Sequence, residues 1–304
     1  MSSFKFHGLC PATHTPFNDQ GELALNVVEK QAAYLKARHI DKVFICGTTG
    51  ESASLQPQER VAVVERWAKV GPDHGIQVVA HVGTNCLADA KALAKVAQAH
   101  KLAAVSMIAP TYFKPKTVAD LVDCCAEVAA GAPSLPFYYY DIPALTGIHF
   151  ACDEFLQLAS KKIPNLAGVK YSNADLGTYL LCKQLEGGRF DLPWGIDEYY
   201  LSALAMGAQG GVGSTYNFVS GPLHRMIAAY AKHDHATAQL EQARLMHVIR
   251  IVAKRGYLGS AKALMTHLGV PVGPARLPNN NPSATELKAM LSELEAIGYF
   301  QWKD

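Results

Sequence analysis

Short apolar or β-branched runs alternate along the chain with segments of helical period. In the helical segments, apolar residues recur at spacings of three and four, as at Val63, Trp67 and Val70, which is typical of helices that bury one face. We predict eight strands, at residues 8–16, 43–48, 77–83, 104–110, 136–143, 166–172, 192–197 and 210–215.

The order of these elements predicts an α/β fold, specifically a (β/α)8 TIM barrel. The strands lack clean apolar and polar alternation, which is typical of parallel strands covered on both faces. A doubly wound open sheet is the alternative, because it also alternates strands with helices. Such a sheet usually carries a Gly-rich phosphate turn after its first strand, whereas this first strand continues into HTPFNDQG. The barrel is therefore favoured.

Strand patterns stop near residue 225, and helical periods continue beyond it. We therefore expect a barrel that carries the active site at residues 1–225 and a C-terminal helical extension at residues 226–304. The Pro- and Asn-rich stretch PVGPARLPNNNPS separates the last two helical segments. Ser283 and Glu286 have the spacing of a capping box that opens the final helix.

Charge and composition exclude several classes of protein. The 304 residues include 28 Lys and Arg against 26 Asp and Glu, so nucleic acids and anionic membranes gain little long-range attraction. The start, MSSFKFHGLC, lacks a signal-peptide core, and no apolar run approaches the roughly 20 residues of a membrane span. The seven cysteines show no C-x-x-C pair, so we expect free thiols and a cytoplasmic protein.

Functional groups of such barrels lie where strands end, so polar residues at these positions are the candidates. Lys170 follows the apolar stretch 166–169 on a strand buried on both faces. Burial of an unpaired ammonium is costly, and burial lowers the pKa of a lysine toward the neutral amine that forms Schiff bases with carbonyl groups. Alternatively, the strand ends one residue earlier and Lys170 begins an exposed loop.

Two other strand ends offer polar groups. Tyr140 is a candidate general acid or base, although a run of three tyrosines in an apolar strand, here at 138–140, most often indicates aromatic packing. Thr48 and Thr49 lie between glycines, where hydroxyl and N–H groups are able to bind an anion such as a carboxylate. The other interpretation is a Gly-rich turn capped by threonines.

Acidic residues lie at the carboxyl end of the seventh predicted strand. Asp197 and Glu198 are able to accept hydrogen bonds from sugar hydroxyls, or they are charges in the first turn of the next helix. The His-Asp-His segment at 233–235 lies in the polar extension and is only superficially similar to a metal site. No metal site is predicted.

Taken together, these segments resemble the class I aldolase family of N-acetylneuraminate lyase and dihydrodipicolinate synthase. The resemblance runs from His7 and Gly8 through GTTGES, Y-x-I-P, G-V-K and the GSTYN segment at 213–217 to GPARLP at 273–278. Several such motifs in order are far more specific than any one of them. Animal-type lyases of the family show similar PFYYY-x-IPALTG and GSTYN segments.

The resemblance implies residue roles. Lys170 would form an imine with pyruvate, Tyr140 would perform acid and base catalysis, and the substrate carboxylate would bind Thr48 and Thr49. Positions that match sugar contacts in the lyases are Ser172, Gly195 through its backbone, Asp197, Glu198 and Ser214. Tyr112 matches a tyrosine near the mouth of the family's site, where animal-type relatives carry Phe. Asp141 receives no role.

A difference within the family concerns the second substrate. Synthases that accept aspartate semialdehyde carry an arginine two residues after the motif proline, where its planar fork pairs with a carboxylate. That position is Leu145 here. The resemblance therefore implies reversible cleavage of N-acetylneuraminate, a sialic acid, to N-acetylmannosamine and pyruvate.

The resemblance further implies a homotetramer with neither a metal nor an organic cofactor, because the lysine amine itself is the electron sink. Two alternatives stay open. One is an aldolase that combines pyruvate with another aldehyde, such as a 2-keto-3-deoxy sugar acid aldolase or dihydrodipicolinate synthase. The other is a barrel that binds sialic acid or pyruvate without turnover.

Overall fold

A computed structural model describes residues 4–302, and within them seven parallel strands surround a common axis. The strands are β1 (Gly8–Pro11), β2 (Lys42–Ile45), β3 (Gln77–His81), β4 (Ala104–Met107), β5 (Phe137–Asp141), β6 (Leu166–Tyr171) and β7 (Gly210–Gly213). Each overlaps one of the eight predicted runs. The predicted runs extend further at their carboxyl ends, where the chain has already left the sheet.

The eighth barrel position is the segment 191–195, which forms isolated parallel bridges instead of the strand predicted at 192–197. Asp191 pairs with Gly168 in β6, and Trp194 pairs with both Tyr171 in β6 and Gly211 in β7. Pro193 has no N–H to donate, so a continuous ladder is interrupted there. The predicted regular strand is therefore wrong, although the segment lies where that strand was expected.

These bridges close the ring. The strands pair in the order β2-β3-β4-β5-β6 and β1-β7, and the segment 191–195 joins β6 to β7. On the other side, Ala12 bridges to Phe44 in β2, and the N–H of Thr13 donates to the carbonyl of Phe44 at 3.0 Å. The (β/α)8 barrel prediction is confirmed.

Helices cover the outside of this ring. They are α1 (Val28–Lys36), α2 (Pro57–Asp73), α3 (Leu87–Ala99), α4 (Val118–Ala129), the single turn α5 (Pro143–Thr146), α6 (Cys152–Ala159), α7 (Leu176–Gln184), α8 (Tyr200–Ala205) and α9 (Ser220–Ala231). In α4, apolar residues recur at spacings of three and four, and these residues, Val118, Leu121, Val122 and Cys125, are all buried. Such faces fill the layer between helices and strands.

A second, smaller apolar cluster fills the inside of the barrel, as expected for a packed core. Near its amino-terminal end, Phe6 and Tyr138 pack edge to face with ring centres 4.9 Å apart. The carboxylate of Asp191 accepts hydrogen bonds there from the Tyr138 hydroxyl at 2.9 Å and the Phe6 N–H at 2.7 Å. The interior is thus filled at this end, and the cavity described below opens at the other.

Three helices form the C-terminal extension: α10 (His235–Ala253), α11 (Tyr257–His267) and α12 (Ala284–Ala296). The predicted capping box opens α12, since Ser283 accepts from the N–H of Glu286 and its own N–H donates to the Glu286 carboxylate. Helix α9 spans the expected division at residue 225, so we propose that the barrel and the extension divide after residue 231. Over residues 4–302, no helix combines the length and apolar character needed to cross a membrane.

Candidate active site

A cavity of about 660 Å³ opens at the carboxyl ends of the strands. Its walls come from the turn after β2, from β5 and β6, from the residues after segment 191–195 and after β7, and from the extension. Eight polar residues among those that line it are Thr48, Thr49, Tyr140, Lys170, Asp197, Glu198, Ser214 and Tyr257. Seven of these were predicted from the sequence, and Tyr257 was not.

Lys170 lies within β6 and is only 3% exposed, so it does not begin a loop. Its Nζ donates a hydrogen bond to Ser172 Oγ at 3.1 Å, and that hydroxyl donates to the carbonyl of Gly195 at 3.1 Å. A Cβ at position 195 would lie 1.9 Å from Ser172 Oγ and 3.2 Å from the amine. The glycine therefore leaves room for this chain of hydrogen bonds and keeps the amine accessible from the cavity.

Tyr140 pairs with Lys170 in the register of β5 and β6, and the Lys170 Nζ lies 3.4 Å from the centre of the Tyr140 ring. The ring packs edge to face with His81 and Phe44, at 6.0 Å between ring centres in each case. The hydroxyl approaches Thr48 Oγ1 at 3.4 Å. Tyr140 thus packs in the core through its ring and reaches the cavity through its oxygen.

The environment of the Tyr140 hydroxyl favours ionisation. Burial raises the pKa of Tyr140, but the nearby charge of Lys170 and hydrogen bonds from Lys170, Thr48 and Ser172 outweigh burial and bring it below the usual value of a tyrosine. A phenol with a lowered pKa is a better general base near neutral pH. The Tyr140 hydroxyl thus lies at the cavity and has a lowered pKa, and both properties suit it to proton transfer.

The GTTGES segment forms a tight turn after β2. Cys46 and Glu51, at the two ends of the turn, adopt left-handed backbone conformations with φ of 54° and 57°. Within residues 4–302, the N–H groups of Thr48 and Thr49 donate to no protein acceptor. Successive free N–H groups with two hydroxyls form a concavity suited to an anion such as a carboxylate.

The start of that turn is held by His81. The N–H of Ile108 donates to His81 Nε2 at 3.2 Å, so Nδ1 carries the proton and donates to the carbonyl of Cys46 at 2.9 Å. Burial and the nearby charge of Arg60 lower the pKa of His81 well below its usual value. His81 is therefore a neutral structural support and not a proton donor to substrate.

The opposite wall of the cavity carries acceptors and hydroxyls. One carboxylate oxygen of Asp197 accepts from the Thr215 N–H at 3.0 Å and from its hydroxyl at 2.6 Å. The other oxygen is buried and has no partner among the described residues. Burial raises the pKa of Asp197 to about 6, although the bonds from Thr215 oppose this shift.

Glu198 is half-buried beside Asp197, and Ser214 lies 2.7 Å from the Tyr257 hydroxyl, oxygen to oxygen. Tyr257 belongs to α11, and its neighbour Leu258 also lines the cavity. No local pattern pointed to Tyr257, because it is the first residue of a helix assigned to the extension. The GPARLP motif was the one sequence signal that the extension contributes to this site.

Two sequence candidates, Ser172 and Tyr112, do not line the cavity, and neither does Asp141. Ser172 lies behind Lys170 and reaches the site through its hydrogen bond to the amine. Tyr112 is 79% exposed, and its backbone N–H donates to Asn85. Asp141, to which no role was given, accepts from the side-chain amide of Asn173 at 3.1 Å. The structure therefore does not bring Tyr112 together with the other candidates.

The His-Asp-His segment has a structural role. Asp234 is the N-cap of α10 and accepts from the N–H of Thr237 at 3.0 Å, while the rings of His233 and His235 lie 6.4 Å apart. Throughout the part of the chain that the structure describes, no group of three or more His, Cys, Asp or Glu side chains is arranged to hold a metal ion.

Fold and site together define a (β/α)8 barrel with a buried strand-end lysine facing a tyrosine. The family model described as "Dihydrodipicolinate synthetase family" matches residues 5–297. The N-acetylneuraminate lyases of Sus scrofa and Rattus norvegicus are 38% and 40% identical to the chain, each over 99% of this chain and 96% of the relative. The solved structure of Proteus mirabilis N-acetylneuraminate lyase superimposes with a TM-score of 0.93 at 34% identity, over 96% of this chain and 99% of that one. The chain belongs to the dihydrodipicolinate synthetase family.

Proposed function

We propose that the protein is a class I aldolase that cleaves N-acetylneuraminate reversibly to N-acetylmannosamine and pyruvate. The observation that carries this proposal is the buried Lys170 amine, which lies 3.4 Å from the centre of the Tyr140 ring. The same cavity contains the Thr48 and Thr49 turn and the polar wall formed by Asp197, Glu198 and Ser214. The similarity to N-acetylneuraminate lyases over nearly the whole chain supports the choice of substrate.

The first step is imine formation. The substrate carboxylate binds the N–H and hydroxyl groups of Thr48 and Thr49, which places the adjacent C2 ketone near Lys170. The neutral amine attacks C2, a new C–N bond forms, and the ketone oxygen leaves as water.

The second step is cleavage of the C3–C4 bond. Tyr140 removes the proton of the C4 hydroxyl, directly or through the substrate carboxylate, and the C–O electrons form the aldehyde of N-acetylmannosamine. The imine is protonated at nitrogen, so the electrons of the broken bond move to that nitrogen and give a neutral enamine. The enamine is protonated at C3, and water releases pyruvate and restores the Lys170 amine.

The far wall of the cavity favours a polyol over a second carboxylate. Among the described lining residues, Lys170 is the only basic side chain. Leu145 lines the cavity and is 62% exposed at the position where the synthases carry arginine. Asp197, Glu198 and Ser214 instead offer acceptors to hydroxyl donors, which suits the sugar chain of sialic acid.

Leu145→Arg is expected to shift the second-substrate preference. The arginine places a cation where aspartate semialdehyde would bring its carboxylate, and a charge-assisted pair of this type is worth about 1.5–3 kcal/mol. Condensation of pyruvate with aspartate semialdehyde should rise about ten- to a hundredfold over background, while sialic acid cleavage falls. Steady-state rates with both substrates measure the shift.

Leu145→Met is the matched control, because it keeps an apolar side chain of similar size. It should leave both rates near those of the wild-type protein. A wild-type protein that condenses pyruvate with aspartate semialdehyde faster than it cleaves sialic acid would contradict the proposed substrate.

We expect the ionisation of Asp197 to produce an acidic limb in the pH profile of kcat/KM for sialic acid cleavage. Its raised pKa of about 6 means that the carboxyl is ionised above that pH and protonated below it. The kcat/KM for sialic acid should therefore decrease as the pH decreases through about 6. Asp197→Asn should lower kcat/KM about ten- to a hundredfold, remove the limb and spare pyruvate binding, because this side chain serves the sugar alone.

Asp141→Asn is the control for that experiment, because burial also raises the pKa of Asp141 to about 6, although its side chain does not line the cavity. An acidic limb that persists in Asp197→Asn and disappears in Asp141→Asn would assign the titration to Asp141, outside the cavity, and contradict the role of Asp197. Equal loss of pyruvate binding and sugar cleavage in Asp197→Asn would mean that Asp197 supports the fold.

We also propose a homotetramer in the cytoplasm. The seven cysteines are free, which suits a reducing compartment. The exposed rings of Tyr112 and Phe113 pack edge to face at 5.0 Å on the surface, and aromatic side chains of this kind are enriched in subunit interfaces. The resemblance to the aldolase family supports four subunits.

A further inference from the structure

A buried ion pair connects the GTTGES turn to the C-terminal extension. The side chains of Glu51, at the end of the turn, and Lys262, in α11, are both 0% exposed. The Lys262 Nζ donates to Glu51 Oε1 at 2.8 Å and to the carbonyl of Thr15 at 2.9 Å. The pair thus joins three segments that are far apart in sequence.

The second oxygen of the same carboxylate is bound by the GPARLP motif. The backbone N–H of Arg276 donates to Glu51 Oε2 at 2.7 Å. The Arg276 guanidinium donates to both carboxylate oxygens of Glu59 in α2 and to the carbonyl of Ser54 at 2.8 Å. The extension therefore binds the turn at Glu51 and binds the following residues at Ser54 and Glu59.

Glu51 requires these contacts because its backbone is in the left-handed region, which is unfavourable for a residue with a side chain. The Thr15 hydroxyl donates to the carbonyl of Gly50 at 2.7 Å and holds the same end of the turn. Between this end and the Cys46 end lie the free N–H groups of Thr48 and Thr49. The direction of those N–H groups depends on both ends being held.

Stability is a weak explanation for such a pair. Two buried charges lose their hydration, and well-packed apolar residues of similar volume often replace a buried pair without loss of stability. A carboxylate held by two donors from different segments does fix a backbone in one position, because each donor has a defined direction.

We propose that Lys262 and Arg276 are positioning residues that act through Glu51 to hold the Thr48 and Thr49 groups toward the substrate carboxylate. The helical extension is then part of the carboxylate site, in addition to lining the cavity. This inference rests on the proposed function insofar as the turn binds the carboxylate of a 2-oxo acid.

The test uses the full-length protein and the double variant Glu51→Met with Lys262→Met, which removes both charges. Two half-saturating concentrations are measured: that of pyruvate, by borohydride trapping on the protein, and that of N-acetylmannosamine, in condensation with saturating pyruvate. Thermal unfolding is recorded in parallel. Lys254→Met is the control, because Lys254 pairs with Glu293 in the extension and does not contact the turn.

We expect the double variant to stay folded with a modestly lower unfolding temperature, because no unpaired charge remains but the Arg276 N–H loses its acceptor. The half-saturating pyruvate concentration should rise about tenfold or more, the scale of a lost charge-assisted contact, while that of N-acetylmannosamine stays unchanged. Lys254→Met should match the wild type in both. A double variant with wild-type pyruvate affinity, or an equal rise for both substrates, would overturn the proposal.

Glu51→Gln is the second variant, and it tests the proposal even if the double variant does not fold. It preserves the shape of the side chain and an acceptor for the Arg276 N–H but removes the charge that Lys262 pairs with. Pyruvate half-saturation should still rise several-fold, and an unchanged value would overturn the proposal. Pyruvate trapping needs no sialic acid, so the positioning test does not depend on the proposed substrate. Wild-type protein that traps pyruvate but does not cleave sialic acid would contradict the proposed substrate, and the effect of Glu51 and Lys262 on pyruvate binding would still be measurable.

Discussion

Lys170→Met is expected to abolish sialic acid cleavage and pyruvate trapping while the protein stays folded. Methionine keeps most of the buried aliphatic stem of Lys170 and loses only the amine that forms the imine. The value of kcat should fall by about four orders of magnitude or more, since loss of a catalytic nucleophile has effects on this scale. Pyruvate release from sialic acid measures the loss, and circular dichroism checks the fold.

Lys162→Met is the matched control, because Lys162 is an exposed lysine on the outside of the barrel that pairs with Asp123. It should retain wild-type activity. Substantial turnover in Lys170→Met would contradict an imine mechanism at this residue, whatever happens to the control.

Tyr140→Phe is expected to retain pyruvate trapping and to lose most turnover. The ring remains packed between His81 and Phe44, and only the hydroxyl beside Thr48 is removed. General acid and base catalysis commonly contributes about 10²- to 10⁴-fold, so kcat should fall within that range. Single-turnover measurements separate imine formation from bond cleavage.

Tyr138→Phe offers a control on the same strand. The Tyr138 hydroxyl donates to Asp191 at the opposite end of the barrel, so its loss should lower thermal stability and leave kcat unchanged. A wild-type kcat in Tyr140→Phe would remove Tyr140 from acid and base catalysis, and an equal loss in both variants would indicate a general effect on the barrel.

The fold was largely predictable because a parallel barrel buries both faces of its strands, and these strands therefore stand out as short apolar runs. The exception was the segment 191–195, where Pro193 interrupts the ladder that an apolar run predicts. The carboxyl ends of the strands were also predicted too long. At Cys46, for example, the chain leaves the sheet in a left-handed conformation that the residue type does not indicate.

The candidate site was predictable where its residues sit in local motifs. Lys170, Tyr140 and the threonine turn lie at strand ends, and the barrel brings all strand ends together. Lys262 could not be predicted in the same way, because its contact with Glu51 joins residues 211 positions apart in the chain. Only the folded structure places a helix of the extension against the turn.

The most direct test of the account is borohydride reduction of the wild-type protein during incubation with N-acetylneuraminate as the sole substrate. We expect a reduced pyruvyl group on the peptide that contains Lys170, together with free N-acetylmannosamine in solution. Absence of that adduct, or an adduct with the mass of the whole sugar and no released N-acetylmannosamine, would contradict cleavage through a lysine imine.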